Sequence, residues 1–358
     1  MDHEAPILAA HADWSVNPAK RVITHALHQA GRHAGRWLVD APEPVGPPGD
    51  LLARLLRRAA GAPVAFGVDF PLGLPRAYAA RAGITDFPAW LRGLPPDAPL
   101  FRVCDRLNEL SLARPFYPRA SVTGAGHQAA LAHALGLAGP QDLRRAADHP
   151  TARRPGGAPL FWTLGANQCG KAALSGWRDC LLPAFAAQTK LRLWPFEGEF
   201  RALLHPAQIV IAETYPAEAL VQLGLTLRGS KRNQADRQAL APDLLRRLAQ
   251  LQAEPSPALH HAISSGFGPS PTGEDQFDSL LGVLNVIAVI NGAPDRPPDH
   301  SPPSSLSDPV EGWVLGQIDW PMQRRHPPAP PSTKQHPSRP PRATRRSPRA
   351  DPPKAGSD

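Results

Sequence analysis

The sequence predicts an α/β domain in which a mixed five-stranded sheet is flanked by helices, and three observations predict this class. Residues 64–70 are apolar or small apart from Asp69 and are followed by Pro71, the pattern of a strand that is buried on both faces of a sheet. Three shorter strand patterns precede it, and a long apolar helix pattern begins at Thr272. A sheet of antiparallel and parallel strands with helices packed on it accounts for all three.

The N-terminal part of the chain predicts an antiparallel meander and then a helix. Strand patterns cover residues 7–12, 21–27 and 36–41, and the loops between them are short enough for antiparallel neighbours. A short amphipathic helix is predicted after Asp50, which lies near its start, and Gly61 marks its end.

This predicted helix leads directly into the buried strand, and the connection predicts the partner of that strand. A helical crossover joins parallel strands, so residues 64–70 most simply pair with the first strand, residues 7–12. Asp13 and Asp69 then end neighbouring parallel strands at the edge of the sheet where α/β proteins bind ligands. The ordinary explanation of Asp69 is a turn aspartate that binds the amides after Pro71.

Residues 76–206 are predicted to form a large helical and loop insertion between the fourth and fifth strands. Helical patterns occupy residues 105–113, 127–136 and 171–188, and proline-rich loops separate them. The segment is too long for a simple crossover, so we expect it to shape a substrate surface.

The fifth strand pattern repeats the arrangement of the fourth. Residues 208–212 are rich in β-branched residues and are followed by Glu213, and Pro216 ends the extended segment. Glu213 therefore corresponds in position to Asp69. Two further helices are predicted, over residues 216–223 and 239–252.

The final predicted helix begins at Thr272 and carries two acids. Thr272 lies three residues before Asp275, the spacing of a capping box with aspartate in place of the usual Glu or Gln. Asp275, Asp278 and Gly282 share one stripe, and the glycine leaves room for a close approach to a sheet. Asp275 has an ordinary explanation as a first-turn acid stabilised by the helix dipole, whereas Asp278 has a weaker one. Asp278 is therefore the preferred metal ligand of this helix.

The charge of the chain is concentrated near its C-terminus. The formal net charge is +8, and residues 321–358 hold nine Lys or Arg against two Asp. Eleven prolines and few apolar residues in this segment predict a disordered Pro/Arg-rich basic tail. Such a tail could hold an anionic polymer in a salt-dependent way, or remain solvated without a partner.

Cysteine usage and hydropathy predict the compartment. Cys104, Cys169 and Cys180 have no paired metal-ligand spacing, and their odd number favours buried or incidental thiols in a reducing compartment. The first residues lack the basic and apolar regions of a signal peptide, and the longest apolar run, residues 280–290, is too short to span a bilayer. We expect a soluble cytoplasmic protein with no membrane partner.

Four acids are predicted to meet in one site: Asp13, Asp69, Glu213 and Asp278. Like charges so close together cannot all stay ionised unless divalent cations are bound. Oxygen ligands without a His or Cys cluster favour Mg²⁺ or Mn²⁺. Two such ions about 4 Å apart activate a water and stabilise the leaving oxygen of a phosphodiester, so the four acids are candidate catalytic residues.

Seven strings carry a family resemblance: DWSVNPAKR, GVDFPLGLP, RPFYP, ETYPAEA, GSKRNQADR, EDQFDSLLG and EGWVLG. They are similar to the domain of unknown function 429 family, described as predicted nucleases of the RNase H-like fold. The resemblance implies an RNase H-like domain over residues 1–320 and leaves out the tail. The metal-binding acids that it implies are Asp13, Asp69, Glu213 and Asp278, with Asp275 as a fifth.

The leading functional hypothesis is a divalent-metal-dependent nuclease that hydrolyses DNA or RNA. Lys231 and Arg232 are candidate contacts to backbone phosphates, although a solvated basic loop is the more common identity of such a pair. The first alternative is a non-catalytic nucleic-acid-binding or scaffold protein whose acids serve as caps. The second is a nucleotide-handling phosphotransferase, a class whose Gly-rich phosphate hairpins and repeated halves the sequence lacks.

Overall fold

The computed structural model describes residues 5–29, 35–119, 126–164, 169–297 and 308–321. The chain divides into two units, Met1–Met322 and Gln323–Asp358, and all the described residues belong to the first. The predicted basic tail, apart from Pro321, lies outside the described residues.

The described residues form one mixed sheet of eight strands with helices around it. The strands are β1 (Ile7–Asp13), β2 (Val22–His28), β3 (Trp37–Val39), β4 (Glu43–Pro44), β5 (Val64–Val68), β6 (Leu191–Leu193), β7 (Ile209–Glu213) and β8 (Ala253–Pro255). The helices are α1 (Leu51–Ala59), α2 (Arg76–Ala82), α3 (Phe87–Arg92), α4 (His127–Ala134), α5 (Cys169–Gly176), α6 (Leu182–Ala186), α7 (Pro216–Gln222), α8 (Gln234–Ala239), α9 (Ala241–Gln250), α10 (Pro257–Ser264) and α11 (Thr272–Ile290). A π-helical segment, Trp177–Leu181, joins α5 to α6.

The order of the strands across the sheet is β6-β7-β5-β1-β2-β3-β8, with β4 paired to β2. The first three strands form an antiparallel meander, as predicted. Strand β5 is parallel to β1 on one side and to β7 on the other, so the predicted pairing of the buried strand with the first strand is confirmed. The α/β class with a mixed sheet is confirmed, with eight strands in the described ranges where five were expected.

The pairing of β1 with β5 places two of the predicted carboxyl groups side by side. All five residues of β5 are buried, which explains its apolar sequence. Ala12 pairs with Val68 in the parallel register, and the Asp69 amide donates a hydrogen bond to the Ala12 carbonyl at 3.1 Å. Asp13 and Asp69 are the next residue in each segment, so both side chains lie at the same edge of the sheet.

Helix α11 packs on β1 and β2, and a glycine permits the close approach. A Cβ on Gly282 would overlap the His11 ring, so the predicted close contact at this glycine is confirmed. The Ser279 hydroxyl is 2.7 Å from Thr24 Oγ1 and donates to the His11 carbonyl at 3.2 Å. These bonds fix the helix on the sheet and thereby position Asp278, the residue before Ser279, next to the end of β1.

Three of the predicted helical features differ from the structure. Residues 105–113 contain a short 3₁₀ turn, Leu107–Glu109, in place of the predicted helix. Pro271 precedes α11 and supplies no side-chain cap, so the helix begins at the predicted residue but the capping box does not form. The helix predicted over residues 239–252 is present as α9, but the polar segment before it, for which no helix was predicted, contains α8.

Candidate functional site

Three of the predicted acids meet at the edge of the sheet where β1 and β5 end. Asp13 is the last residue of β1, Asp69 directly follows β5, and Asp278 lies in the second turn of α11. All three line one cavity with a volume of about 590 Å³. The predicted convergence of these three side chains from separate stretches of the chain is therefore present in the structure.

Asp13 and Asp69 interact directly, although both are acids. Their side chains lie close enough for a hydrogen bond, which can form only when one of the two carboxyl groups carries a proton. Burial raises the pKa of Asp13 well above its ordinary value, and the charges of Asp69 and Asp278 raise it further. Burial and the charge of Asp278 raise the pKa of Asp69 in the same way. Without a metal ion, the folded protein disfavours the ionised forms of these acids.

Lys231 supplies a positive charge to the cluster. Its ammonium donates a hydrogen bond to Asp278 Oδ2 and lies 3.5 Å from Glu274 Oε1. Burial alone would lower the pKa of Lys231, but the attraction of Asp278 outweighs it and raises that pKa. Burial raises the pKa of Asp278 to about 6, because the attraction of Lys231 offsets only part of the desolvation.

The two residues predicted to contact nucleic-acid phosphates occupy different environments. Lys231 lies in the acidic cavity, whereas the Arg232 side chain is 70% exposed and lies 3.7 Å from Glu274 Oε2. Lys231 is therefore engaged with acids of the protein, and Arg232 is a solvated side chain at the edge of the cluster.

Two carboxylate oxygens of the cluster remain available for a ligand. Asp278 Oδ1 and Asp275 Oδ2 are buried and have no hydrogen-bond partner among the described residues. Burial also raises the pKa of Asp275, whose side chain lines the same cavity. A buried oxygen without a donor is costly, so both atoms favour a cation as their missing partner.

Glu213, the fourth predicted acid, lines the cavity but is bonded to an arginine. Arg145 donates to both of its oxygens, from Nη1 to Oε2 at 2.6 Å and from Nη2 to Oε1 at 2.7 Å. The Leu72 amide donates to Glu213 Oε2 at 2.9 Å. Because these donors already satisfy the carboxylate, the contacts do not support the predicted role of Glu213 as a metal-binding and catalytic acid.

Arg145 was not predicted, and it joins the insertion to the sheet. It is fully buried, and besides Glu213 it binds Asp148, from Nη2 to Oδ1 at 2.8 Å. Its Nη1 also donates to the Leu72 carbonyl at 2.9 Å. Residue 145 belongs to the insertion and residue 213 to β7, so no local sequence pattern could reveal the pair.

The contacts of Glu213 also test the alternative explanation of Asp69 as a turn aspartate that binds the amides after Pro71. The amide after Pro71 belongs to Leu72, and it is bound by Glu213. Among the described residues, no backbone amide donates to the Asp69 side chain. Glu213 therefore stabilises this turn, and Asp69 is directed toward Asp13 and the cavity.

The donor set fits Mg²⁺ or Mn²⁺ in chemistry, because Asp13, Asp69, Asp275 and Asp278 offer carboxylate oxygens and two of these are unpartnered. As the side chains stand, no group of three or more His, Cys, Asp or Glu within the described ranges is arranged to hold an ion. Lys231 is bonded to one oxygen of Asp278, and Asp13 and Asp69 lie within hydrogen-bond reach of each other. Binding of a divalent ion would compete with both interactions.

The raised pKa of Asp278 predicts a pH dependence of stability in the absence of metal. An aspartate in the unfolded chain titrates near pH 3.9, and Asp278 in the folded protein titrates at about 6. The folded state binds the proton more tightly, so this group's contribution to stability is complete below about pH 4 and is lost as the pH rises through 6. We expect the loss to be on the order of 2 kcal/mol and to be absent in Asp278→Asn.

Urea unfolding in chelator between pH 4 and 7 measures this difference. Asp243→Asn is the matched control, because Asp243 is an exposed aspartate paired with Arg246. If wild type and Asp278→Asn keep a constant difference in unfolding free energy across this range, Asp278 is ionised in the fold and the description of the cluster is wrong.

No helix in the described part of the chain is both long and apolar enough to cross a membrane. Comparison of the chain with protein-family models, with curated proteins and with solved structures finds no match in any of the three.

Proposed function

We propose that the protein is a divalent-metal-dependent hydrolase of phosphodiester bonds that acts on nucleic acid. The observation that carries the proposal is the meeting of Asp13, Asp69 and Asp278 in one cavity, where burial raises the pKa of each and neighbouring carboxylates raise it further. A cluster of this kind lowers protein stability unless it binds a cation, so its presence favours a functional role.

The topology supports the RNase H-like assignment that the family resemblance implies. Strands β1, β2 and β3 form the expected meander, and β5 and β7 follow as strands parallel to β1. Asp13 ends β1 and Asp69 directly follows β5, and the resemblance implies metal-binding acids at these two positions. Membership of the domain of unknown function 429 family remains a prediction, as does a cytoplasmic location.

Asp13, Asp69 and Asp278 are the residues that would hold the metal, and Asp275 lies at the edge of the same cluster. Bound divalent ions would supply an activated water and stabilise the charge that develops on the leaving oxygen. The carboxylates have to be ionised to bind, and positive charge beside them lowers their raised pKa values. Glu213 contributes indirectly, because its bonds to Leu72 and Arg145 fix the turn that follows Asp69.

Two features of the cavity wall suit an anionic substrate that is attacked by water. Lys20 and Lys171 line the cavity together with the acids, so phosphates beside the reacting one would meet positive charge. Cys169 also lines it, but burial raises the pKa of its thiol, which disfavours a thiolate nucleophile. Water is therefore the expected nucleophile.

A cleavage panel tests the proposal. The full chain is incubated with single-stranded, duplex and branched DNA and RNA, in Mg²⁺, in Mn²⁺ and in excess chelator. We expect cleavage of at least one substrate with either ion and none with chelator. Binding of nucleic acid without cleavage under every condition would contradict the hydrolase and leave the non-catalytic binding protein.

A further inference from the structure

The backbone of Lys231 is anchored beside the acid cluster, whereas its long side chain can rotate. It lies between α7 and α8, and its carbonyl accepts a hydrogen bond from Arg237 Nη1. Arg237 is buried and also donates to the carbonyls of Gly266 at 2.9 Å and Gly268 at 2.8 Å. The backbone at Lys231 is therefore anchored, while four methylene groups allow its ammonium to move.

The ammonium is bonded to one of the two oxygens of Asp278, an acid that a metal ion would use. It is bonded to Asp278 Oδ2, and its charge also acts on Asp69 and Asp13. The other oxygen of Asp278 is buried without a partner within the described residues. A divalent ion that uses both Asp278 and Asp69 would lie close to this ammonium, and two cations at such a distance repel one another.

We propose that Lys231 is the resident counter-ion of the acid cluster and that a divalent ion displaces it, an inference that rests on the proposed function. In the metal-free protein the lysine compensates part of the negative charge of Asp278 and Glu274. With an ion bound, the ammonium would leave Asp278 by side-chain rotation about the anchored backbone. It would then lie at the edge of the cavity, within reach of a substrate phosphate. Lys231 is thus a positioning residue that competes with the metal.

The two possible roles of Lys231, competition with the metal and support of the cluster, predict opposite changes in Mn²⁺ affinity when Lys231 is replaced. If Lys231 competes with the ion, Lys231→Met binds Mn²⁺ more tightly than wild type. If Lys231 only holds the cluster in shape, the same change weakens Mn²⁺ binding. The expected gain is about tenfold in Kd, which corresponds to the loss of one charge-assisted hydrogen bond that opposes metal binding.

Calorimetric titration of Mn²⁺ into the metal-free full chain measures the effect. Arg232→Met is the matched control, because it removes the same formal charge from the neighbouring residue. The Arg232 side chain is mostly exposed and lies near Glu274. We expect the Kd of this control to stay within about twofold of wild type, since interactions between exposed charges are weak. Lys231→Gln is the second variant, and we expect it to bind Mn²⁺ more tightly as well.

A second readout comes from thermal unfolding of the same proteins. We expect Lys231→Met to have a lower Tm than wild type in chelator, because the acids lose their counter-ion, and to gain more in Tm than wild type on addition of Mn²⁺. Unchanged or weaker Mn²⁺ binding by both Lys231 variants, with normal binding by wild type, would overturn the competition and leave the proposed function intact. If neither the wild type nor any variant binds Mn²⁺, the proposed function is wrong, and the proposed competition is wrong with it.

Discussion

Replacing Asp69 by asparagine is expected to lower metal-dependent cleavage at least about a hundredfold, since losing even an outer partner of a metal ligand costs 10–100-fold. The same change is expected to raise the stability of the metal-free protein by about 1 kcal/mol, a typical gain when a strained functional site is relieved. The reason is that Asp69 is held beside Asp13 and Asp278, whose charges oppose its ionisation. Activity and stability should therefore change in opposite directions.

Cleavage rates and urea unfolding in chelator measure the two effects of Asp69→Asn. Asp86→Ala supplies the contrast, because Asp86 is an ordinary helix cap whose Oδ1 accepts from the Ala89 amide at 2.6 Å. We expect Asp86→Ala to lose about 1 kcal/mol, as helix caps do. If Asp69→Asn is destabilised to the same extent, Asp69 serves as a structural cap, and the non-catalytic scaffold becomes the better account.

Replacing Arg145 by methionine is expected to destabilise the protein by about 3–5 kcal/mol, the cost of leaving buried charges without their partner. Arg145 is fully buried and makes paired bonds to both Glu213 and Asp148. The change removes the only cation bonded to Glu213 within the described residues. Because Glu213 then remains buried beside the other acids of the cavity, part of the loss should be recovered in the double variant Arg145→Met/Glu213→Gln.

Urea unfolding at pH 7 measures these losses. Arg246→Met is the control, because Arg246 is mostly exposed and pairs with Asp243 on the surface of α9. Exposed pairs of this kind contribute about 0.5 kcal/mol. A loss in Arg145→Met as small as that of the control would show that the Arg145–Glu213 pair contributes little to the fold. Glu213→Gln alone should keep its Mn²⁺ affinity, whereas a clear loss of affinity would restore Glu213 to the metal-binding set.

Asp13, Asp69 and Asp278 could be predicted because each follows from a local pattern. Residues 64–68 are buried on both faces, so their sequence is continuously apolar, and the acid after them is conspicuous. The crossover helix then fixes parallel pairing with β1. Gly282 indicates the close contact of α11 with the sheet, because a side chain at that position would overlap His11. These signals are all contained in short windows of sequence.

Glu213 shows what the same pattern leaves out. It is the last residue of a buried strand, and a proline follows three residues later, as for an acid at the edge of the sheet. Its partner is Arg145, 68 residues away in the insertion, and the pairing depends on how that insertion folds. Neither residue carries a local mark that distinguishes a buried ion pair from a metal ligand. Sequence reasoning placed Glu213 correctly in the cavity and missed the arginine that satisfies it.

The short strands and Lys231 were missed for related reasons. Strands β4, β6 and β8 have two or three residues each, too few to show the alternation by which a strand is recognised. Lys231 lies in a polar stretch that is typical of solvated loops, and its bond to Asp278 joins elements 47 residues apart. In both cases tertiary pairing, rather than the local sequence, determines the structure.

Calorimetric titration of Mn²⁺ into wild type, Asp13→Asn and Asp278→Asn is the most direct test of the acid cluster as a metal site. Wild type should bind Mn²⁺ saturably, and each variant should lose at least about tenfold in affinity, because each replaces a negatively charged carboxylate of the same site by a neutral amide. Asp243→Asn should bind as wild type does, since Asp243 is exposed on α9. Equal affinity in wild type, Asp13→Asn and Asp278→Asn would contradict the proposal that these acids form one divalent-metal site.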